Sequence, residues 1–264
     1  MRDIEKHKKE KTMKKYELTS NFKLRFGRKL FQIRALISFG SVKKGDLGGW
    51  IESEDNLSQD NDAWVYGDAW VYGNAKVCDN AWVYGDAKVC GDAKVCGDAK
   101  VYGNAKVCDN AWVYGDAWVY GNAKVCDNAW VCGDAKVCGD AWVCGDAWVC
   151  GDARVCDNAK VCDNAKVYGD AWVCGDAWVC GDARVYGNAW VLWISKIGSR
   201  NGTTTFFKTR TGIGVKCGCF YGTLDEFAEQ VEKTHGDNEH GRAYKLAIEL
   251  AKMRILRKDN ETEE

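Results

Sequence analysis

From Ala63 the chain alternates small or aliphatic residues with polar or aromatic ones in a six-residue period, A-[W/K/R]-V-[Y/C]-[G/D]-[D/N], which runs without insertion to Val191. Within each unit Ala and Val share one face of a short strand, and the residue between them points to the other. The inner face is therefore Ala and Val; the outer face is Trp, Lys or Arg. The Gly-Asp, Gly-Asn or Asp-Asn pair that closes the unit tolerates left-handed backbone and bonds to nearby peptide groups, as a corner between strands requires. Three strands and three corners close a triangular coil of eighteen residues. Stacking such coils pairs each strand in parallel with its equivalent in the next coil.

The few Val and Ala side chains of one coil cannot offset the ordering of its whole backbone. The array is predicted to be stable only through contacts between neighbouring coils, and to need a cap at each end. The chain divides accordingly into a tail over 1–13, an N-terminal cap over 14–62, the repeat over 63–191, a C-terminal cap over 192–256 and a tail over 257–264. In the first cap, 29–36 alternates like a strand, Gly45 to Gly49 reads as a turn, and Leu57 continues the inward register. GDLGG lacks the Lys-[Ser/Thr] of a phosphate-binding loop. The second cap is read as α+β, with strands at 194–197, 203–209 and 213–220. Two helices follow, the first opened by a Thr223–Glu226 capping box and stopped at Gly236, the second carrying Leu246, Leu250 and Met253 as its apolar stripe. The two tails are expected to be charged and disordered, with Met13 an alternative start.

In its aliphatic and small positions the unit V-[Y/C]-[G/D]-[D/N]-A-x resembles the hexapeptide repeat of left-handed parallel β-helix proteins. The Tyr or Cys of its second position departs from that pattern. The resemblance implies a mainly β fold, a left-handed parallel β-helix with a mixed N-terminal cap and a small α+β C-terminal cap. KKGDLGGWIESEDNLSQ at 43–59, with RNGTTTFFKT, KCGCF, GTLDEF and THGDNEHGRAY between 200 and 244, resembles segments flanking hexapeptide repeats in phage and prophage proteins of Gram-positive bacteria. That implies a phage or prophage setting and no particular chemistry. Acyltransferases of this fold use a His beside a loop that interrupts the coil, and carbonic-anhydrase-like members use three His for zinc. The repeat has neither His nor loop, so a non-catalytic role is expected, with an atypical acyltransferase as the alternative.

Imposing the eighteen-residue coil sorts the outer residues into columns. The most ordered reads Lys76, Lys94, Trp112, Trp130, Trp148, Lys166, Arg184, three Trp between pairs of cations. These residues are the candidate binding surface. So many outward Trp mark either an interface or internal stacking and cation–π support. If the surface binds, a protein partner or a second copy is expected, with a homotrimer implied by the resemblance; a small ligand or sugar on the Trp faces is the alternative.

Thirteen of the fifteen Cys fall on the corners after Val. One edge reads Tyr72, Cys90, Cys108, Cys126, Cys144, Cys162, Cys180 and the other two mix Tyr with Cys. The coil spacing suits disulfides, whereas a single line of thiols suits a tetrahedral metal poorly; reduced, packed thiols are expected. Elsewhere Cys217, Cys219, His235 and His240 could form a Cys2His2 zinc site, or be packing and turn residues. No cofactor is expected.

Net charge is −1 over 264 residues, yet residues 1–45 carry 14 Lys and Arg against 4 Asp and Glu, and 63–191 carry 11 against 17. Without a reading motif the basic end does not predict nucleic-acid binding. No apolar run is long enough for a membrane helix, and MRDIEKHKKEKTMKK lacks the apolar centre of a secretory signal. The bacterial cytoplasm is the expected compartment.

Overall fold

The structure is a computed structural model that describes residues 13–186, 191–209 and 212–255. Readings placed on residues 1–12, 187–190, 210–211 and 256–264 lie outside the described residues. Strands β1 (Tyr16–Arg25), β2 (Arg28–Ala35) and β3 (Leu47–Ile51) precede twenty-one strands of two or three residues, β4 (Trp64–Val65) to β24 (Arg184–Tyr186). These form three parallel sheets, the faces of a β-solenoid, in which every strand pairs with the third one before and after it. The register follows the eighteen-residue coil, as in Trp112 opposite Trp130 and Val113 opposite Val131.

Every repeat Ala from Ala63 to Ala183 and every repeat Val from Val65 to Val185 is at most 1 % exposed. The corners hold left-handed backbone, occupied by Gly in most units and by Asp79, Asp109, Asp127, Asp157 and Asp163 at φ between 57° and 60°. A side chain there is strained, but the carboxylates of Asp79, Asp127, Asp157 and Asp163 each accept the amide N–H of the Gly one coil further on, at 3.0–3.1 Å. The next corner position stacks amides: Asn110 Nδ2 donates to Asn128 Oδ1 at 3.1 Å, and Asn128 Nδ2 to Asp146 Oδ1 at 3.0 Å.

The parallel stacking starts before Ala63. Trp50 and Ile51 pair in parallel with Trp70 and Val71, and Leu57 bridges Val77, so an irregular coil lies within the segment read as cap. Gly48 and Gly49 sit where this coil meets the next; a Cβ on Gly48 would lie 2.6 Å from both Ile33 Cγ1 and the Val65 carbonyl. Trp64 is the exception among the outer Trp. It is 1 % exposed, because Phe39 and Tyr16 close over it edge-on at 5.4 and 6.1 Å.

In the repeat's parallel ladder successive coils exchange bonds in both directions. The N–H groups of Trp82, Tyr84 and Asp86 donate to Ala99, Val101 and Gly103 of the following coil at 2.9–3.0 Å, and other units repeat the pattern. The first and last coils therefore each present an unpaired edge of peptide groups. The caps match. At the N-terminal end Lys15 Nζ donates to the carbonyls of Asp60, Asn61 and Ala63 at 3.1, 3.1 and 3.0 Å, and the Tyr16 hydroxyl reaches those of Glu54 and Leu57 at 3.0 and 2.7 Å. At the other end Thr205 Oγ1 accepts from the Trp178 N–H at 3.0 Å and the Tyr221 hydroxyl from that of Asp182 at 3.1 Å.

The C-terminal cap is an antiparallel sheet of β25 (Val191–Ile197), β26 (Gly202–Lys208), β27 (Ile213–Cys217) and β28 (Phe220–Thr223), followed by helices α1 (Leu224–His235) and α2 (Glu239–Ile255). The single strand expected over 213–220 is two strands, folded back at Gly218, φ 57°. The Thr223–Glu226 capping box forms and α1 stops at Gly236, φ 51°. The stripe expected for α2 is not the buried one: Leu246 and Met253 are 73 % and 65 % exposed, while Tyr244, Ala247, Ile248, Ala251 and Ile255 pack inward. Gly241, Ala247 and Ala251 leave room on this face for α2 to lie against α1 and β25, with Tyr244, Ile248 and Ile255 filling the gaps between them. No helix among the described residues is long and apolar enough to cross a membrane.

Candidate functional surface

On the third face the ordered column is assembled as a stack. Trp112 and Trp130 lie parallel at 5.1 Å between ring centroids, and Trp130 and Trp148 at 5.0 Å. Lys94 Nζ sits 4.2 Å over Trp112 and Lys166 Nζ 4.5 Å over Trp148. Lys76 and Arg184 extend the column as the strand partners of Lys94 and Lys166. The ring faces of the stack are thus covered by other parts of the same column, and only ring edges are offered outward. Edge two carries a similar stack, Tyr84, Tyr102 and Tyr120, at 4.7 and 4.9 Å.

Exposure of the outer Trp rises along the repeat. Trp112, Trp118 and Trp130 are half-buried, whereas Trp142, Trp148, Trp172 and Trp178 are 40, 37, 58 and 37 % exposed. A groove of about 600 Å³ runs along the first face, between Trp82, Lys100, Trp118, Lys136 and Arg154 on one side and Asp98, Asp116, Asp134 and Asp152 on the other. Lys100 lies over Trp82 and Trp118 and Lys136 over Trp118. Among the described residues no salt bridge of 4 Å or less joins the lysines to the aspartates.

The thiols divide by edge. On the third edge Cys78–Cys96 and Cys132–Cys150 are disulfides, with Cα–Cα 4.7 and 4.5 Å, contrary to the reduced state expected for all. Each of these cysteines has one thiol neighbour, since Tyr114 and Tyr168 interrupt that column. The eleven others are free. In the six-thiol column ionisation alternates: Cys90, Cys126 and Cys162 are pulled down by hydrogen bonds from Cys108, from Cys108 and Cys144, and from Cys144 and Cys180. Cys108, Cys144 and Cys180 are pushed up by donating to those neighbours. The Trp142 and Trp178 indole N–H groups donate to Cys126 and Cys162 Sγ, each at 3.0 Å.

The C-terminal cap carries an open cleft of about 400 Å³ whose lining includes Cys217, Cys219, His235 and Tyr244. The Thr204 hydroxyl donates to Cys217 Sγ at 3.1 Å and Tyr244 Oη lies 3.5 Å from it, Cys219 is exposed, and the His235 and His240 rings are 5.8 Å apart. Cys217, Cys219, His235 and His240 do not converge as one ligand set. The groups of ligand atoms within 4.8 Å of one another among the described residues are all on the solenoid corners, for example Cys108, Asp109, Cys126 and Cys162, Asp163, Cys180. In sequence, these appear as Cys-Asp-Asn corners one coil before another Cys.

Residues 177–192 match the YdcK beta solenoid repeat family. The match covers the last coil of the array and agrees with the parallel sheets, supporting a repeat β-solenoid. No curated protein matches the chain.

Proposed function

We propose that this protein is a non-catalytic interaction module, a capped left-handed solenoid of the hexapeptide-repeat kind and of phage or prophage origin, which associates with a second copy of itself through the exposed Trp of its last coils. The hand and the origin rest on the resemblance of the repeat and its flanks. The association rests on the uneven exposure of the outer Trp: Trp142 and Trp178 on one face, Trp148 and Trp172 on the other two, present more apolar surface than a lone chain needs, interleaved with Arg154, Lys160 and Lys166. Sedimentation equilibrium of the whole chain over rising concentration tests it. Association of the wild type, lost when those four Trp are replaced by Lys, is the expected result; a wild type that stays monomeric throughout refutes it.

A second reading, binding of a sugar-like ligand, draws on the first-face groove, where Trp82 and Trp118 offer apolar surface beside the unpaired carboxylates of Asp116, Asp134 and Asp152. Glycan-array binding lost in Asp116→Asn/Asp134→Asn is its expected result, and no glycan bound above background counts against it.

A further inference from the structure

Cys90, Cys108, Cys126, Cys144, Cys162 and Cys180 form one column, one thiol per coil with no other residue type between, and all six are free. Their backbones are held in register by the ladder on either side, Cys108 N–H to the Val125 carbonyl and Cys126 N–H to that of Val143, both at 3.0 Å. The sulfurs of Cys108 and Cys126, and of Cys162 and Cys180, lie within 4.8 Å of one another. Two metal–thiolate bonds of about 2.3 Å laid end to end span about 4.6 Å. A cation placed between successive sulfurs therefore meets them on opposite sides.

The surroundings favour low coordination. The carboxylates of Asp127 and Asp163 are already engaged by the amides of Gly145 and Gly181, at 3.1 and 3.0 Å, and Asp109, which accepts from Cys108 at 3.1 Å, adds at most one donor to one pair of thiols, short of a tetrahedral set. Trp142 and Trp178 direct indole N–H groups at Cys126 and Cys162, polarity suited to electron-rich sulfur. Thiolates select soft cations.

We propose that this column is a binding stripe for soft, two-coordinate d10 cations of the Cu(I) and Ag(I) class, each held linearly between the sulfurs of successive coils. Paired as Cys90–Cys108, Cys126–Cys144 and Cys162–Cys180, six sulfurs make three sites. Each site binds one M⁺ to two sulfurs as a bis-thiolate of net charge −1, and every sulfur that was still a thiol releases its proton to solvent. This site borders the Trp surface proposed for association through Trp142 and Trp178, but its metal loading is read without reference to association.

Titrating the whole chain with Ag(I) in chloride-free buffer, read by native mass spectrometry and Trp emission, tests the stripe. The wild type is expected to retain three more ions per chain than Cys108→Ser/Cys144→Ser/Cys180→Ser, and Zn(II) to be retained by neither at these positions. Ag(I) should also quench emission in the wild type more than in Trp142→Phe/Trp178→Phe, a readout that needs no cysteine variant. Equal Ag(I) loading of wild type and triple variant, equal quenching with and without Trp142 and Trp178, or Zn(II) held with the same stoichiometry would each overturn the proposal.

Discussion

Replacing Lys15 by Met removes the one ammonium that, among the described residues, serves the open carbonyls of the first coils. Lys15 is 2 % exposed and donates to Asp60, Asn61 and Ala63. Charge-assisted hydrogen bonds contribute about 1.5–3 kcal/mol each, so three would total roughly 4–9 kcal/mol, from which desolvation of the ammonium subtracts several. A net loss of about 2–4 kcal/mol is expected for Lys15→Met, which keeps the apolar stem. Burial, partly offset by Asp62 and Asp60, lowers the Lys15 pKa to about 8, below the unfolded value of about 10.4. Between those two values the unfolded chain binds more protons than the folded one, so this group's contribution to stability rises with pH across that window. Urea unfolding of both chains at pH 7 and pH 9.5 measures it. The gap between wild type and variant should be wider at the higher pH; equal midpoints for the two chains would refute the assignment of Lys15 as the cap's donor, and a gap that narrows would refute its lowered pKa.

Three further outcomes follow from the same contacts. Gly48→Ala should cost about 1–3 kcal/mol by overpacking against Ile33 and Val65, seen as a lowered Tm. Asn128→Asp replaces the amide that donates to Asp146 with a carboxylate facing it. It should destabilise by about 1–2 kcal/mol at neutral pH, and denaturant midpoints should recover as pH falls through the carboxylate range, because like charges raise the folded-state pKa. Each disulfide closes a separation of 18 residues, which corresponds to about 3 kcal/mol; Cys78→Ser/Cys96→Ser should lose that much under oxidising conditions and respond less to reductant than the wild type.

Alternation alone located the core and the pairing register of the solenoid, because Ala and Val recur with no substitution and any slip by one residue would turn Trp and Lys inward. The stack of Trp112, Trp130 and Trp148 was legible for the same reason: once the coil length is known, columns can be read directly. The hairpin of β1 and β2 was only half visible. Residues 16–25 expose Phe22 and Leu24, so β1 lacks the period of a half-buried strand. In α2 two stripes of helical period compete, and hydrophobicity favours Leu246 and Met253, but close packing chose Ala247, Ala251 and their neighbours. Nothing in the sequence marked Lys15, whose role appears only when the open end of the ladder is in view. The split of the thiols into bonded pairs and a free column follows from which coils carry Tyr, visible in sequence as an interruption but not as a bond.

The parallel ladder also makes the two ends of the array complementary to each other. The unpaired edge of the last coil offers the peptide groups that each coil offers its successor, and the first coil offers those that meet them, in matching triangular outline, so bare arrays would join head to tail. Such a contact is heterologous and does not close on itself; it yields a filament of unlimited length. Lys15 and Tyr16 at one end, Thr205 and Tyr221 at the other, are what keep each chain a finite rod, and a lesion in either cap would expose a template for fibre growth.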